Sequence, residues 1–181
     1  MSEPNWLLPD AAKDAQSITR DWTLTGVQLI DGVLVREVRN VPKNGGHLTE
    51  IYRRDWFDGD PDVGHVFSVT LDPGVVSAWH AHASSRDRLF VDSGMVQIAL
   101  YDAREGSPTF GVLNTFRFGA LRPALVVVPP RIWHGIQNVG STVASVLNLV
   151  DVAYRYEDPD HWRITADSPH IPFSWSSRRG I

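Results

Sequence analysis

Short stretches of strand-forming residues, separated by turn residues, fill most of this chain. Strands are predicted at residues 47–53, 65–71, 75–82, 88–92, 95–101, 110–117, 124–129, 133–137 and 143–153. The sequences between them, such as DGDPD, DPG, AREGSP and NVGS, are rich in residues that favour turns. A hairpin is predicted where Gly26–Ile30 and Val33–Val38 flank Asp31-Gly32, and short helices are expected only at residues 10–17 and 158–165. Many short strands with so little helix predict an all-β sandwich or barrel.

The composition is that of an ordinary globular protein, and it excludes several functional classes. Of the 181 residues, 43% are hydrophobic and 21% are charged, so we expect one domain with a sizeable core. The net charge of −4 argues against nucleic-acid binding, which usually needs a basic face. No long apolar run and no signal-peptide pattern is present, so we expect no membrane partner and a cytoplasmic location. The absence of cysteine excludes disulfides and thiolate zinc sites.

Histidines and one aspartate recur in two spaced motifs on the predicted strands. The motifs are Gly74-x5-His80-x-His82-x4-Asp87-x6-Gly94 and Pro129-x-Arg131-x2-His134-x3-Asn138. Residues two apart on a strand share a face, so His80 and His82 point the same way, with backbones about 6–7 Å apart. Both motifs resemble those of the cupin superfamily, whose fold is a jelly-roll β-barrel. We therefore expect an all-β cupin barrel with His80, His82 and His134 pointing inward.

Three imidazoles and one carboxylate inside a barrel form a typical transition-metal donor set. The expected ligands are His80, His82, Asp87 and His134. This set suits Mn, Fe, Co, Ni or Zn better than Ca or Mg, which prefer oxygen ligands. However, Asp87 stands where the cupin motif has glutamate, and its carboxylate reaches about 1.5 Å less. It could instead orient a histidine, or pair with the neighbouring Arg86 and Arg88, leaving the histidines as acids, bases or hydrogen-bonding groups.

Four segments carry a more specific resemblance. DAREGSPTFG at 102–111 is similar to a D-x-R-x-x-S-P-T-F-G segment, and GVVSAWH at 74–80 is similar to G-V-x-R-G-L-H. PPRIWHG at 129–135 resembles P-x-G-F-A-H-G, and IPFSW at 171–175 resembles a closing I-x-I-x-W strand. All four belong to the dTDP-4-dehydrorhamnose 3,5-epimerase family of the cupin superfamily, and the chain is identified as a divergent member with a metal-type cupin motif.

This resemblance implies a dimer of jelly-roll barrels that abstracts protons without a metal. The reaction takes place at sugar C3 and C5, next to a 4-keto group, and His80 occupies the position of the family's base. The family's reprotonating tyrosine falls at Asn148, so Tyr154 or Tyr156 would have to replace it as the acid.

The resemblance also suggests a division of the chain. We expect a single cupin domain over residues 1–181, with an N-terminal arm to about residue 25. A cupin core over about 26–156 and a C-terminal segment over 157–181 would follow.

The sequence therefore predicts an enzyme related to sugar epimerases. Our main interpretation is a metal-dependent cupin isomerase or epimerase, a homodimer that moves a proton on a small keto-sugar or keto-acid. Three alternatives stay open. They are a metal-free dTDP-4-keto-6-deoxyhexose 3,5-epimerase, an iron-dependent dioxygenase, and a non-catalytic cupin that binds a small molecule.

We predict weak binding of thymidine diphosphate, because two phosphate-binding arginines of the family fall at Gly45 and Ser77 in this chain. Arginine suits phosphate because it donates two parallel hydrogen bonds, which neither replacement can do. Calorimetry should give a dissociation constant of about 1 mM or weaker, which corresponds to roughly −4 kcal/mol. Micromolar binding would contradict this and would point to other phosphate-binding side chains.

Overall fold

Twelve strands and one 3₁₀ turn make up the regular structure of the computed structural model, which describes residues 6–21 and 25–175. The first six strands are β1 (Leu34–Glu37), β2 (Asn40–Lys43), β3 (Gly46–Thr49), β4 (His65–Leu71), β5 (Val76–Ala81) and β6 (Asp87–Ser93). The others are β7 (Met95–Tyr101), β8 (Leu113–Gly119), β9 (Ala124–Val128), β10 (Trp133–Asn138), β11 (Ala144–Val150) and β12 (Trp162–Arg163). The 3₁₀ turn spans Arg54–Trp56.

Two five-stranded sheets form the body of the fold. Their strand orders are β1-β9-β6-β11-β4 and β12-β5-β10-β7-β8, and each neighbouring pair is antiparallel. A separate hairpin joins β2 to β3. Inward-facing residues of both sheets, such as Val91 and Val126 from one and Ile98 and Phe118 from the other, share one buried core. This is the expected all-β cupin or jelly-roll architecture, so the predicted fold class is confirmed.

The outer face of the first sheet is buried as well. Phe90, Leu125 and Leu149 pack there against the segment from Ile51 to Val63. Because both faces of the sheet are covered, β9 reads as an uninterrupted apolar run, ALVVV, rather than as an alternating pattern.

An ion pair inside this covered face fixes the direction of Asp87. Arg88 is fully buried, and its Nε donates to Asp60 Oδ2 at 2.7 Å, while Arg86 donates to Asp60 Oδ1 at 3.0 Å. Consecutive strand residues point to opposite faces, so Asp87 points away from Arg88 and into the barrel. The suggested pairing of Asp87 with these arginines is therefore wrong, because both arginines pair with Asp60.

The outer face of the second sheet is covered by residues from the C-terminal part of the chain. Trp79 is completely buried on β5, and its ring lies 5.8 Å from that of Phe173 and 4.9 Å from that of Trp175. The segment that resembles the closing family strand thus packs behind β5. The opposite face of β5, which carries His80, therefore points into the barrel.

Three local predictions are wrong, and tertiary contacts account for two of them. Residues 26–30 do not pair with β1, because the Ile30 N–H donates to the Asn114 side chain at 2.9 Å and β1 pairs with β9. Residues 158–165 form no helix, because Trp162 and Arg163 join the edge of β5 as β12. Residues 10–17 are also not helical.

None of the helical segments in the described ranges is long and apolar enough to cross a membrane.

Candidate active site

A cavity of about 490 Å³ lies inside the barrel, lined by residues of both sheets. Strands β4, β6 and β11 contribute from one sheet, and β5, β10 and β12 contribute from the other. Apolar side chains such as Val69, Leu89 and Ile136 form part of its wall. The polar part of the wall includes His80, His82, Asp87, His134 and His161, together with several serines. A mostly apolar cavity with a few converging polar groups is typical of a small-molecule site.

The pairing of β5 with β10 brings the motif histidines together. His80 lies directly opposite His134 in the register, and their ring centroids are 6.1 Å apart. His82, two residues further along β5, places its ring 5.4 Å from that of His134. All three histidines therefore line one cavity, as the strand period predicts for His80 and His82 and the second cupin motif predicts for His134.

A tight turn delivers His134 to this position. Arg131 has a φ of 66°, in the left-handed region that favours glycine, where the related family segment has glycine. Its N–H donates to the His82 carbonyl at 2.6 Å, which ties the turn before β10 to the end of β5. A backbone conformation that glycine adopts readily is thus adopted here by a larger residue.

The Asp87 carboxylate contacts two histidines, His82 and His134. Its Oδ2 lies 3.0 Å from His134 Nε2 and 3.2 Å from His82 Nε2, and its side chain is almost completely buried. The other ring nitrogens contact backbone carbonyls: His134 Nδ1 lies 3.0 Å from Ile132 O, and His82 Nδ1 lies 2.5 Å from Asp160 O. A carbonyl only accepts, so each Nδ1 carries a proton and each Nε2 is directed at the carboxylate.

This arrangement shifts the pKa values of Asp87 and His82. Burial opposes ionisation of Asp87, but the hydrogen bonds from His134 and His82 outweigh burial and hold its pKa well below the usual range. Burial also opposes protonation of His82, yet the hydrogen bond and charge of Asp87 raise the pKa of His82 above its ordinary value. The carboxylate is therefore ionised and favours positive charge beside it.

His82, Asp87 and His134 form the one group among the described residues whose donor atoms lie close enough to share a metal ion. His80, the fourth expected ligand, lies outside this group. Its Nε2 is 3.1 Å from Ser77 Oγ, and its Nδ1 is 3.0 Å from His161 Nε2. Both of its nitrogens are therefore engaged away from Asp87.

His80 is a neutral imidazole at pH 7. Burial, followed by the charges of His134, Arg163, His161 and His82, lowers its pKa to about 3. At neutral pH one of its nitrogens therefore keeps a lone pair. A neutral imidazole with a free lone pair is able to accept a proton from a bound molecule.

His161, for which the sequence predicted no role, also lines the cavity. Burial first, and then Arg163, His82 and His134, lower the pKa of His161 to about 4, so it is neutral at pH 7. The spacing of His161 and Arg163 was the available signal, since residues two apart share a strand face and both line the cavity.

Some of the candidate acids and of the positions that bind phosphate in the family line the cavity, and others do not. Tyr154 lines the cavity, whereas Tyr156 is 82% exposed and does not. Asn148, in the position of the family tyrosine, lines the cavity but accepts the Arg88 N–H. Ser77 faces the cavity, and Gly45 lies in the exposed turn between β2 and β3.

Comparison with known proteins identifies relatives over most of the chain. Residues 28–180 match the profile of the dTDP-4-dehydrorhamnose 3,5-epimerase family. A protein of Haloferax volcanii, described as the probable low-salt glycan biosynthesis epimerase Agl13, is 36% identical over 151 residues, which cover 82% of this chain and 96% of that protein. The spore coat polysaccharide biosynthesis protein SpsL of Bacillus subtilis is 30% identical over 152 residues, covering 82% and 98%.

A solved structure agrees with these matches. The crystal structure of a dTDP sugar isomerase from Desulfovibrio desulfuricans G20 superposes with a TM-score of 0.76 and 31% sequence identity. The superposition covers 83% of this chain and 94% of that one.

Proposed function

Because this chain belongs to the dTDP-4-dehydrorhamnose 3,5-epimerase family, we propose that it is an epimerase of a nucleotide-linked 4-keto sugar in glycan biosynthesis. The observation that supports this most is the position of His80, which falls where the family has its base and lines the barrel cavity. The relatives named above, an epimerase and a polysaccharide biosynthesis protein, favour this activity over a dioxygenase or a non-catalytic binding protein.

His80 would act as the general base. Its Nε2 accepts the proton of the carbon next to the carbonyl, and the C–H electron pair moves onto the carbonyl oxygen to give an enolate. Return of a proton to the opposite face of that carbon inverts its configuration. A group other than His80 donates the proton that returns to the carbon. His80 then loses the abstracted proton to solvent, and the donor group takes up a proton from solvent, so the protons balance.

Tyr154 is the acid that we propose for the opposite face. It lines the cavity and is 47% exposed, so its hydroxyl can exchange protons with water. Tyr156, the other tyrosine considered from the sequence, packs edge-on against Tyr154 with ring centroids 5.3 Å apart but faces solvent.

The nucleotide diphosphate would lie near Arg155 and Arg163, the arginines that line the cavity. Both are exposed, and Arg155 lies 3.6 Å from Asp158, which competes for its charge. Exposed arginines bind anions weakly, in keeping with the weak thymidine diphosphate binding expected above. A homodimer and a cytoplasmic location, both expected from the sequence, belong to the same proposal.

A second candidate function would use a divalent transition metal held by His82, Asp87 and His134. The observation that favours it is the convergence of two Nε2 atoms on one buried carboxylate oxygen, while both Nδ1 atoms contact backbone carbonyls. Backbone acceptors of this kind orient metal-binding histidines in many proteins. A bound metal would polarise the carbonyl oxygen of the substrate. Without a metal, the Nε2 atoms of His82 and His134 are the groups that contact the Asp87 carboxylate.

Replacing His80 by Gln should lower kcat for epimerisation by about 1,000-fold, because general-base catalysis contributes roughly 10²–10⁴-fold. This kcat is measured as the rate of product formation from a nucleotide-linked 4-keto sugar, with chromatography used to separate and quantify the product. His47→Gln is the control, since His47 lies on the exposed β2–β3 hairpin and does not line the cavity. Activity of His80→Gln close to that of the wild type would refute the role of His80.

The two tyrosines provide a matched pair of variants. Tyr154→Phe should slow epimer formation by about 100-fold, at the low end of acid catalysis, while leaving proton abstraction by His80 in place. Tyr156→Phe removes the same hydroxyl from an exposed ring and should behave like the wild type. Parallel assays of deuterium uptake and product formation separate the two steps. Equal effects of the two substitutions would exclude Tyr154 as the acid.

The metal candidate predicts that purified protein without a histidine tag binds about one equivalent of Zn²⁺ or Ni²⁺ per chain, because one donor set is present. Titration calorimetry measures this. Asp87→Asn and His82→Ala should abolish the binding, whereas His80→Gln should keep it, since His80 lies outside the donor group. Absence of saturable binding to the wild type would eliminate the metal candidate and leave the metal-free epimerase.

A further inference from the structure

We propose that His161 is a positioning residue for His80, accepting the Nδ1–H of His80 and thereby leaving the Nε2 lone pair of His80 directed into the cavity. This inference rests on the proposed function, in which His80 is the general base. It concerns a residue outside the two histidine motifs.

The contact between the two rings is direct. His161 Nε2 lies 3.0 Å from His80 Nδ1, and the ring planes are nearly perpendicular at 78°. The antiparallel pairing of β12 with β5, which sets Arg163 opposite His80 and Trp162 opposite Ala81, brings His161 to this face. Although β12 has only two residues, it can hold His161 beside His80, because side-chain contacts also fix the segment that precedes β12.

Asp160 supplies those contacts. Its carboxylate accepts the N–H groups of Ala83, Ser84 and Ser85 at 2.6, 2.8 and 3.1 Å, and the hydroxyls of both serines at 2.8 and 3.2 Å. Its carbonyl accepts from His82 Nδ1. One residue therefore ties the segment before β12 to the turn that follows β5. His161, the next residue, is held against His80.

The tautomer of His80 depends on this partner. A neutral imidazole has one donor and one acceptor nitrogen, so a proton on Nδ1 leaves Nε2 as the acceptor. A neutral His161 can take the Nδ1–H through its own Nε2, and the Ser77 hydroxyl can then donate to His80 Nε2 when substrate is absent. The opposite tautomer would place the proton on Nε2 and remove the base. When its Nε2 is the acceptor, a histidine partner supports this tautomer without adding a negative charge beside the base.

Nitrogen-15 NMR of histidine-labelled wild-type protein reads the tautomer directly, with His80→Gln to assign the signals. We expect His80 to be protonated on Nδ1 and unprotonated on Nε2, and we expect this preference to be lost in His161→Ala. A wild-type His80 protonated on Nε2 would overturn the proposal. The measurement needs no substrate, so it tests the His80–His161 pair even if the proposed activity is not found.

Kinetics of matched variants provide the second readout. His161→Ala should lower kcat by about 100-fold with little change in KM, because the base is present but in the wrong tautomer for most of the time. His161→Gln should recover most of this loss, since its amide oxygen can accept from Nδ1. His170→Ala, at an exposed position of the same C-terminal segment, should match the wild type.

The variants also separate this proposal from the function on which it rests. Loss of activity in His80→Gln with wild-type kcat in His161→Ala would overturn the role of His161 and keep His80 as the base. Full activity in His80→Gln would instead refute the proposed function. If His161→Ala unfolds, as circular dichroism would reveal, His161→Gln and the wild-type tautomer still decide the question.

Discussion

The antiparallel pairing of β5 with β10 is the constraint on which the candidate site depends. It sets His80 opposite His134 and places His82 one step further along the same face. Asp87 enters from the other sheet, because the buried Arg88–Asp60 pair holds the alternate face of β6 outward. The site is therefore assembled across the two sheets, and its polar groups converge only when both sheets pack on the common core.

The cavity contains two histidine arrangements with different chemistry. Asp87 holds His82 and His134 by their Nε2 atoms, which favours positive charge at that end, whether protons or a metal ion provide it. His80, whose ring centroid lies 6.1 Å from that of His134, is neutral, and its ring nitrogens contact Ser77 and His161. Placing a neutral base beside a cationic group suits enolate chemistry, because the base can take a proton while positive charge stabilises the oxygen that becomes negative.

The sequence predicted the parts of this site that depend on local periodicity. The alternation of strand residues predicted that His80 and His82 share a face, and the resemblance to the cupin motifs predicted that His134 and Asp87 lie near them. The contact between His161 and His80 could not be predicted in this way, because the two residues lie 81 positions apart along the chain and meet through the pairing of β12 with β5. At residues 26–38 the predicted turn at Asp31-Gly32 forms, with the Val33 N–H donating to the Ile30 carbonyl at 2.9 Å. The predicted strand pairing does not form, since the Asn114 side chain takes the Ile30 N–H that a hairpin partner would have used.

The most direct measurement is proton exchange catalysed by the wild-type protein. A dTDP-linked 4-keto-6-deoxyhexose, at millimolar concentration to offset weak nucleotide binding, is incubated with the protein in D2O and followed by proton NMR. If His80 is a general base in this cavity, the signal of the proton at C3 or C5 disappears as deuterium replaces it. Retention of both protons with stoichiometric protein would contradict the account.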